Sequence, residues 1–292
     1  MQVSKTDLLI AERLKLKNKS GKITSITPID DDVNIFYNSV NIACGKQGQG
    51  KTLLFLREFI NISALENPAF HLIIYVNQTG EIDDETYKAV KDLITIPTFA
   101  VSYDDAETTI GGLLDFKQEY YKIIDNPDLL TEWDDEKLDV VSEALAIKID
   151  REHFKKKSLE YPKTLHTIIF FEDAAFQTIF KKDTSYFNKL VTRCRHNNTI
   201  FLFAVQKLAA VSKPVLSQTT SVFIYPGYSP QELAYIHRMS AQTISYIDLK
   251  AVYRTLKQYH LLVTNSVAQT IGIIDLSHIS KMMTMKNKQY IY

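Results

Sequence analysis

The sequence predicts an α/β fold: a mostly parallel sheet with helices covering both faces. Three features predict it. Short, nearly continuous apolar runs recur along the chain, as strands buried on two faces require. Segments with apolar residues at helical spacing separate them, so strand and helix alternate. A glycine-rich turn, Gly45-Lys46-Gln47-Gly48-Gln49-Gly50-Lys51-Thr52, joins the first apolar run to the first such helix.

In chain order, residues 1–33 read as an irregular or partly helical lead-in closed by Asp30-Asp31-Asp32. A domain spanning 34–280 follows. Asn38–Cys44 reads as the first strand and Thr52–Leu65 (TLLFLREFINISAL) as the first helix. Strands are then expected at Phe70–Val76, Thr98–Tyr103, Thr167–Phe171, Thr199–Ala204, Ser221–Tyr225, Tyr259–Thr264 and Gln269–Ile274. Helices are expected near 84–94, 105–125, 184–195, 229–239 and 241–256. Residues 126–163 differ: they are dense in charge and read as a solvent-facing helical insertion. The tail, 281–292, is basic and polar. No internal repeat or low-complexity tract occurs.

Composition bounds the class. The chain has 292 residues, enough to bury a substantial core, and 45% hydrophobic with 23% charged residues is ordinary for a globular protein. No apolar run approaches the ~20 residues of a membrane span. The N-terminal residues MQVSKTDLLIAERLKLKNKS lack a signal-peptide apolar stretch, so a cytosolic protein is expected. Cys44 and Cys194 fit no zinc spacing and read as reduced core thiols. The net charge of +0 hides an asymmetry. Residues 1–180 carry 20 Lys+Arg against 30 Asp+Glu, while residues 181–292 carry 14 against 4. The basic part can meet a polyanion, or the two parts can simply face each other.

Gly45-x4-Gly50-Lys51-Thr52 is a complete Walker A pattern. Its glycines let the backbone curl so that N–H groups point at phosphate oxygens, and the helix that follows adds its positive end. Lys51 is placed to reach β- and γ-phosphates, and the Thr52 hydroxyl to ligate Mg2+. His166-Thr-Ile-Ile-Phe-Phe-Glu172-Asp173 ends a strand in two carboxylates, as Walker B does. Glu172 is assigned to Mg2+ and Asp173 to the attacking water. Thr199–Ala204 leads to Gln206, an amide suited to sensing a γ-phosphate or to holding that water. Upstream, Arg193-Cys-Arg195-His196 offers two arginines for charge on a transferring phosphoryl group, supplied by a neighbouring subunit. Either can equally bind a DNA phosphate or a local carboxylate.

In this order the motifs resemble the FtsK–HerA superfamily, and within it the poxvirus-type DNA-packaging ATPases of large DNA viruses and virophages. The resembling segments are IIFFEDAAF, RCRHNNTIFLFAVQ, KPVLSQTTSVFIY and PQELAYIHRM, within roughly residues 38–240. Arg195-His196 and Gln206 fall where that group has an Arg-His pair before the third strand and a Gln after it. The resemblance implies a RecA-like sheet, ATP with Mg2+, and a homo-oligomeric ring of five or six subunits. It also implies that the ring pushes double-stranded DNA into a capsid at a vertex or portal protein. That would place the protein in the host cytoplasm or a viral factory, or with the virion. One departure is clear: the family reads Asp-Asp or Asp-Glu where this chain reads Glu172-Asp173. Two other classes remain in view. One is a nucleotide-dependent switch or assembly factor that moves no DNA. The other is a small-molecule kinase, which would want an arginine-rich lid that KLAAVSKPVLSQTT does not supply.

Overall fold

The structure, a computed structural model, describes residues 35–65, 70–157, 160–174, 186–194, 196–240, 245–257, 260–266 and 270–276. The lead-in 1–33, the tail 281–292 and Arg195 lie outside the described residues.

The elements follow the expected alternation. β1 (Val40–Cys44), α1 (Lys51–Ser63), β2 (Phe70–Asn77), α2 (Glu85–Val90), β3 (Thr98–Ser102) and α3 (Ala106–Asp125) come first. α4 (Asp135–Ala144) and α5 (Arg151–Lys157) precede β4 (His166–Phe171), α6 (Tyr186–Thr192), β5 (Thr199–Val205), α7 (Lys213–Ser217) and β6 (Thr219–Ile224). α8 (Pro230–Ser240), α9 (Tyr246–Tyr253), β7 (His260–Asn265) and β8 (Thr270–Asp275) complete them. The strands form one eight-stranded sheet in the order β3-β2-β4-β5-β1-β6-β7-β8. From β3 to β6 all neighbours are parallel, while β7 and β8 add antiparallel pairs at one edge.

Successive strand residues go to opposite faces, which is why the apolar runs are continuous. Ile42, Ile169, Phe171, Phe201, Phe203 and Val205 pack on one face with α3 and α6. Ala43, Ile168, Phe170, Leu202 and Phe223 pack on the other with Leu54, Phe55, Phe59 and Ile62 of α1. Phe55 meets Phe170 edge-on with ring centroids 5.2 Å apart. Each such buried aromatic contributes roughly 1.5–3 kcal/mol. Both cysteines are buried thiols without a disulfide.

Two segments differ from expectation. The charged stretch 126–163 is helical, but it is not only a solvated face. Leu130, Trp133, Val141, Leu145, Ile149 and Phe154 are buried and join the core on the α3 side. The short helix α7, with Pro214 in its first turn, had no counterpart in the periodicity, since five residues are too few to show a helical period.

The parallel strands set the geometry of the site. Cys44 is level with Val205 and Ile224, and Phe171 with Phe203, so β1, β4, β5 and β6 release their chains at one edge of the sheet.

Candidate functional site

The glycine-rich loop spans that edge between β1 and α1. Gly50 has φ 88°, a left-handed conformation that glycine adopts without strain. Gly45 is needed for space: a Cβ there would lie 2.8 Å from the Tyr225 ring. Tyr225 Oη also donates to Gly50 O at 2.8 Å, and Gln49 Nε2 donates to Pro226 O at 2.7 Å, so the segment after β6 supports the loop from below. The first turn of α1 has neither an acidic residue nor a capping side chain. Its N–H groups and positive end are therefore left for an anion. Lys51 is almost wholly buried, its Nζ donating to Lys46 O at 3.1 Å, and burial lowers its pKa. Lys46, Gln47 and Gly48 form the exposed part of the loop, and Gln49 is half-buried.

The strand-end side chains meet in pairs. Thr52 Oγ1 donates to Glu172 Oε1 at 3.0 Å. Gln206 Nε2 donates to Asp173 Oδ1 at 3.1 Å. Asp173 takes φ 47°, which turns the chain sharply as it leaves β4. Burial raises the Glu172 pKa, while the nearby Tyr75 and Thr52 hydroxyls pull it down. Tyr75 Oη is buried beside that carboxylate without reaching hydrogen-bond geometry with any group. Tyr103 Oη donates to the Glu172 carbonyl at 2.7 Å and fixes the backbone at the acidic pair.

These groups line a cleft of about 890 Å3 that also takes in Asn77, Thr79, Glu81, Asp83, Asp84 and Glu85 from the β2–α2 connection. Six carboxylates thus line the cleft, with Lys51 the one lining Lys or Arg. The Thr52 hydroxyl and Glu172 carboxylate are hard oxygen donors side by side, and fit Mg2+ held jointly with nucleotide phosphates. Among the described residues, no group of three or more His, Cys, Asp or Glu side chains is placed to hold a metal by itself.

The arginine turn is elsewhere. Arg193 is exposed just after α6, at the N-terminal end of β5, whereas Gln206 follows the C-terminal end. A strand of that length spans ~23 Å. Arg193 therefore lies at the far end of β5 from the cleft, and His196 is exposed on the same turn. Sequence reasoning had not pointed to Tyr75, Tyr103, Tyr225 or the 81–85 acidic rim. Only their positions beside strand ends carried any signal.

Glycine loop, helix start and paired strand-end groups define a P-loop NTPase, built on a mostly parallel sheet with helices on both faces. The chain is similar to the genome packaging NTPase B204 from Sulfolobus turreted icosahedral virus 2 with ATP-gammaS bound. The two are 19% identical, with 82% of this chain and 97% of that chain covered and a TM-score of 0.47. It is also similar to the cytoplasmic domain of the Type VII secretion ATPase EccC of Thermomonospora curvata (11% identity, 81% and 25% covered, TM-score 0.48). EssC of Geobacillus thermodenitrificans, ATPases 2 and 3, is 12% identical, with 87% and 45% covered and a TM-score of 0.45. Comparison with protein families finds no match, and comparison with curated proteins finds none. Among the described residues no helix is long and apolar enough to cross a membrane.

Proposed function

We propose that this chain is an ATP-hydrolysing motor, working as a homo-oligomeric ring, that drives double-stranded DNA into a viral capsid. The observation that carries the ATPase part is the double pairing around Lys51: Thr52 with Glu172, and Asp173 with Gln206. Lys51 and the first turn of α1 hold the β- and γ-phosphates. Thr52 and Glu172 would hold Mg2+, which would supply positive charge against the phosphates. Asp173 orients the attacking water and accepts its proton. Gln206, tied to Asp173, registers loss of the γ-phosphate. With Lys51 the one Lys or Arg lining the cleft among the described residues, the arginine of the mechanism comes from a neighbouring subunit, as Arg193 or Arg195. What supports DNA as the substrate is the basic composition after residue 181, together with the order Glu172-Asp173, Arg195-His196, Gln206. Genome packaging is also the role by which B204 is described. The motor would act in the host cytoplasm or viral factory, docked on a capsid vertex or portal protein.

The test is ATP hydrolysis with and without double-stranded DNA across a salt series. Stimulation at low salt that fades steeply as salt rises is expected, because phosphate contacts release counterions. Nucleotide binding with no stimulation at any salt would make the protein a switch or assembly factor. Hydrolysis unchanged in Lys51→Ala would sink the site assignment altogether.

A further inference from the structure

Lys117 lies in the middle of α3 and is 1% exposed, yet it takes no part in the cleft. Its Nζ donates to Asn197 O at 2.5 Å, Asn198 O at 3.2 Å and Thr167 Oγ1 at 3.2 Å. Asn197 and Asn198 close the turn that begins at Arg193. Within it Arg193 O accepts from the backbone N–H of His196 at 2.9 Å and of Asn197 at 3.1 Å. Asn198 is held at φ 49°, and its Nδ2 donates to Tyr121 Oη, again from α3, at 3.2 Å. The turn is thus tied down from one helix by two side chains.

Burying an amine is costly, and burial pushes the Lys117 pKa down to about 7. A methionine would fill the same space without that cost, but would leave the Asn197 carbonyl with only the Thr199 hydroxyl and the Asn198 carbonyl with only the Thr167 N–H as donor. The chemistry of the position is therefore spent on the turn. The turn stands at the opposite end of β5 from the cleft, so Arg193 is useful to hydrolysis only across a subunit boundary. A guanidinium that must meet a phosphate on another chain needs its backbone fixed, since a misplacement of about 1 Å can cost about 100-fold in rate.

We propose that Lys117 is a positioning residue, fixing the Arg193–Asn198 turn for presentation to the ATP site of a neighbouring subunit. This rests on the reading of that turn as the source of a trans-acting arginine. The experiment is a mixing test on the full chain. Lys51→Ala subunits lack a working ATP site but keep Lys117 and both arginines. Lys117→Met alone is expected to lose roughly 10–100-fold in kcat, with KM for ATP little changed. Mixed with Lys51→Ala, it is expected to regain activity above the sum of the two separate samples. The double variant Arg193→Ala/Arg195→Ala, mixed the same way, is the reference. Restoration there but not for Lys117→Met overturns the role of Lys117 and leaves the trans-arginine reading standing. Restoration in neither overturns both, and wild-type kcat in Lys117→Met overturns the proposal directly. Should Lys117→Met fail to fold by circular dichroism, Thr167→Val decides. It removes one oxygen facing the amino group, and is expected to give a smaller kcat loss that Lys51→Ala restores. An unchanged kcat, or a loss that is not restored, overturns the proposal.

Discussion

The two ends of β5 carry opposite kinds of surface. At its C-terminal end, Gln206 and Asp173 face a cleft lined by six carboxylates and a single lysine. At its N-terminal end, Arg193 and His196 stand exposed on a turn fastened from beneath by Lys117 and Tyr121. Among the described residues, the first end has phosphate-binding groups with Lys51 as its one lining Lys or Arg, and the second has an exposed arginine and no phosphate-binding loop. In the proposed mechanism neither end is a whole active site by itself, and β5 keeps them ~23 Å apart. Two copies stacked so that one end meets the other would make a whole site. Such an arrangement would also answer the acidic-to-basic asymmetry along the chain.

The largest effect should come from removing the second end. Arg193→Ala/Arg195→Ala is expected to lower kcat by roughly 10³–10⁵-fold while ATP still binds. Wild-type turnover in that variant would break the comparison, because the two ends would then be independent. Next is the first end itself. Asp173→Asn is expected to cost roughly 10²–10⁴-fold in kcat with the Mg2+ requirement unchanged. Glu172→Gln should instead raise the Mg2+ concentration needed for half-maximal rate. A Mg2+ titration of both variants separates the roles; the reverse pattern would exchange the two carboxylates.

A smaller effect concerns the buried groups beneath the arginine turn. His71 and His166 are driven by burial to pKa values of about 3 and about 4. Below the ordinary histidine value the unfolded chain takes up protons that the folded chain refuses, so stability should fall from pH 6.5 towards 4. Lys117, at about 7, behaves alike on the other side. Between pH 7 and 9 the folded chain has released a proton that the unfolded chain keeps, so stability should rise with pH. The slope is at most about 1.4 kcal/mol per pH unit for each group. Urea midpoints at pH 5, 7 and 9 check both limbs, and Lys117→Met should flatten the upper one most, since the Lys117 charge also helps to lower both histidines. The smallest effect lies beneath the first end. Tyr253 Oη donates to Tyr225 O at 3.0 Å and accepts from Tyr228 N at 2.8 Å, while Tyr228 Oη donates to Gln206 O at 2.7 Å. Tyr253→Phe should cost about 1 kcal/mol of stability in a urea titration. A drop in kcat beyond what that loss explains would tie α9 to the sensing of phosphate.

Much of the fold was readable because buried parallel strands are nearly unbroken apolar runs, and β1, β2, β4 and β5 fall within a residue or two of expectation. The antiparallel course of β7 and β8 was not readable. A strand's sequence carries its buried faces but not its direction. Lys117 was hidden for a related reason. In DFKQEYYK it looks like one more charge on an amphipathic helix, and only packing reveals that it points inward.

The sequence alone determined the candidate phosphate-binding groups, because phosphate binding demands particular residue types at fixed local spacing: Gly45, Gly50, Lys51 and Thr52 within eight residues, then acids and an amide just past apolar strands. Tertiary structure decided which of them meet. Thr52 and Glu172 are 120 positions apart, and Tyr225 supports Gly50 across 175, contacts that only the order and register of the strands can create. Tertiary structure also decided that Arg193 lies at the far end of the sheet from Gln206, since β5 runs straight between them. Proximity in sequence became separation in space, so that in the proposed mechanism Arg193 would serve the cleft of another copy of the chain.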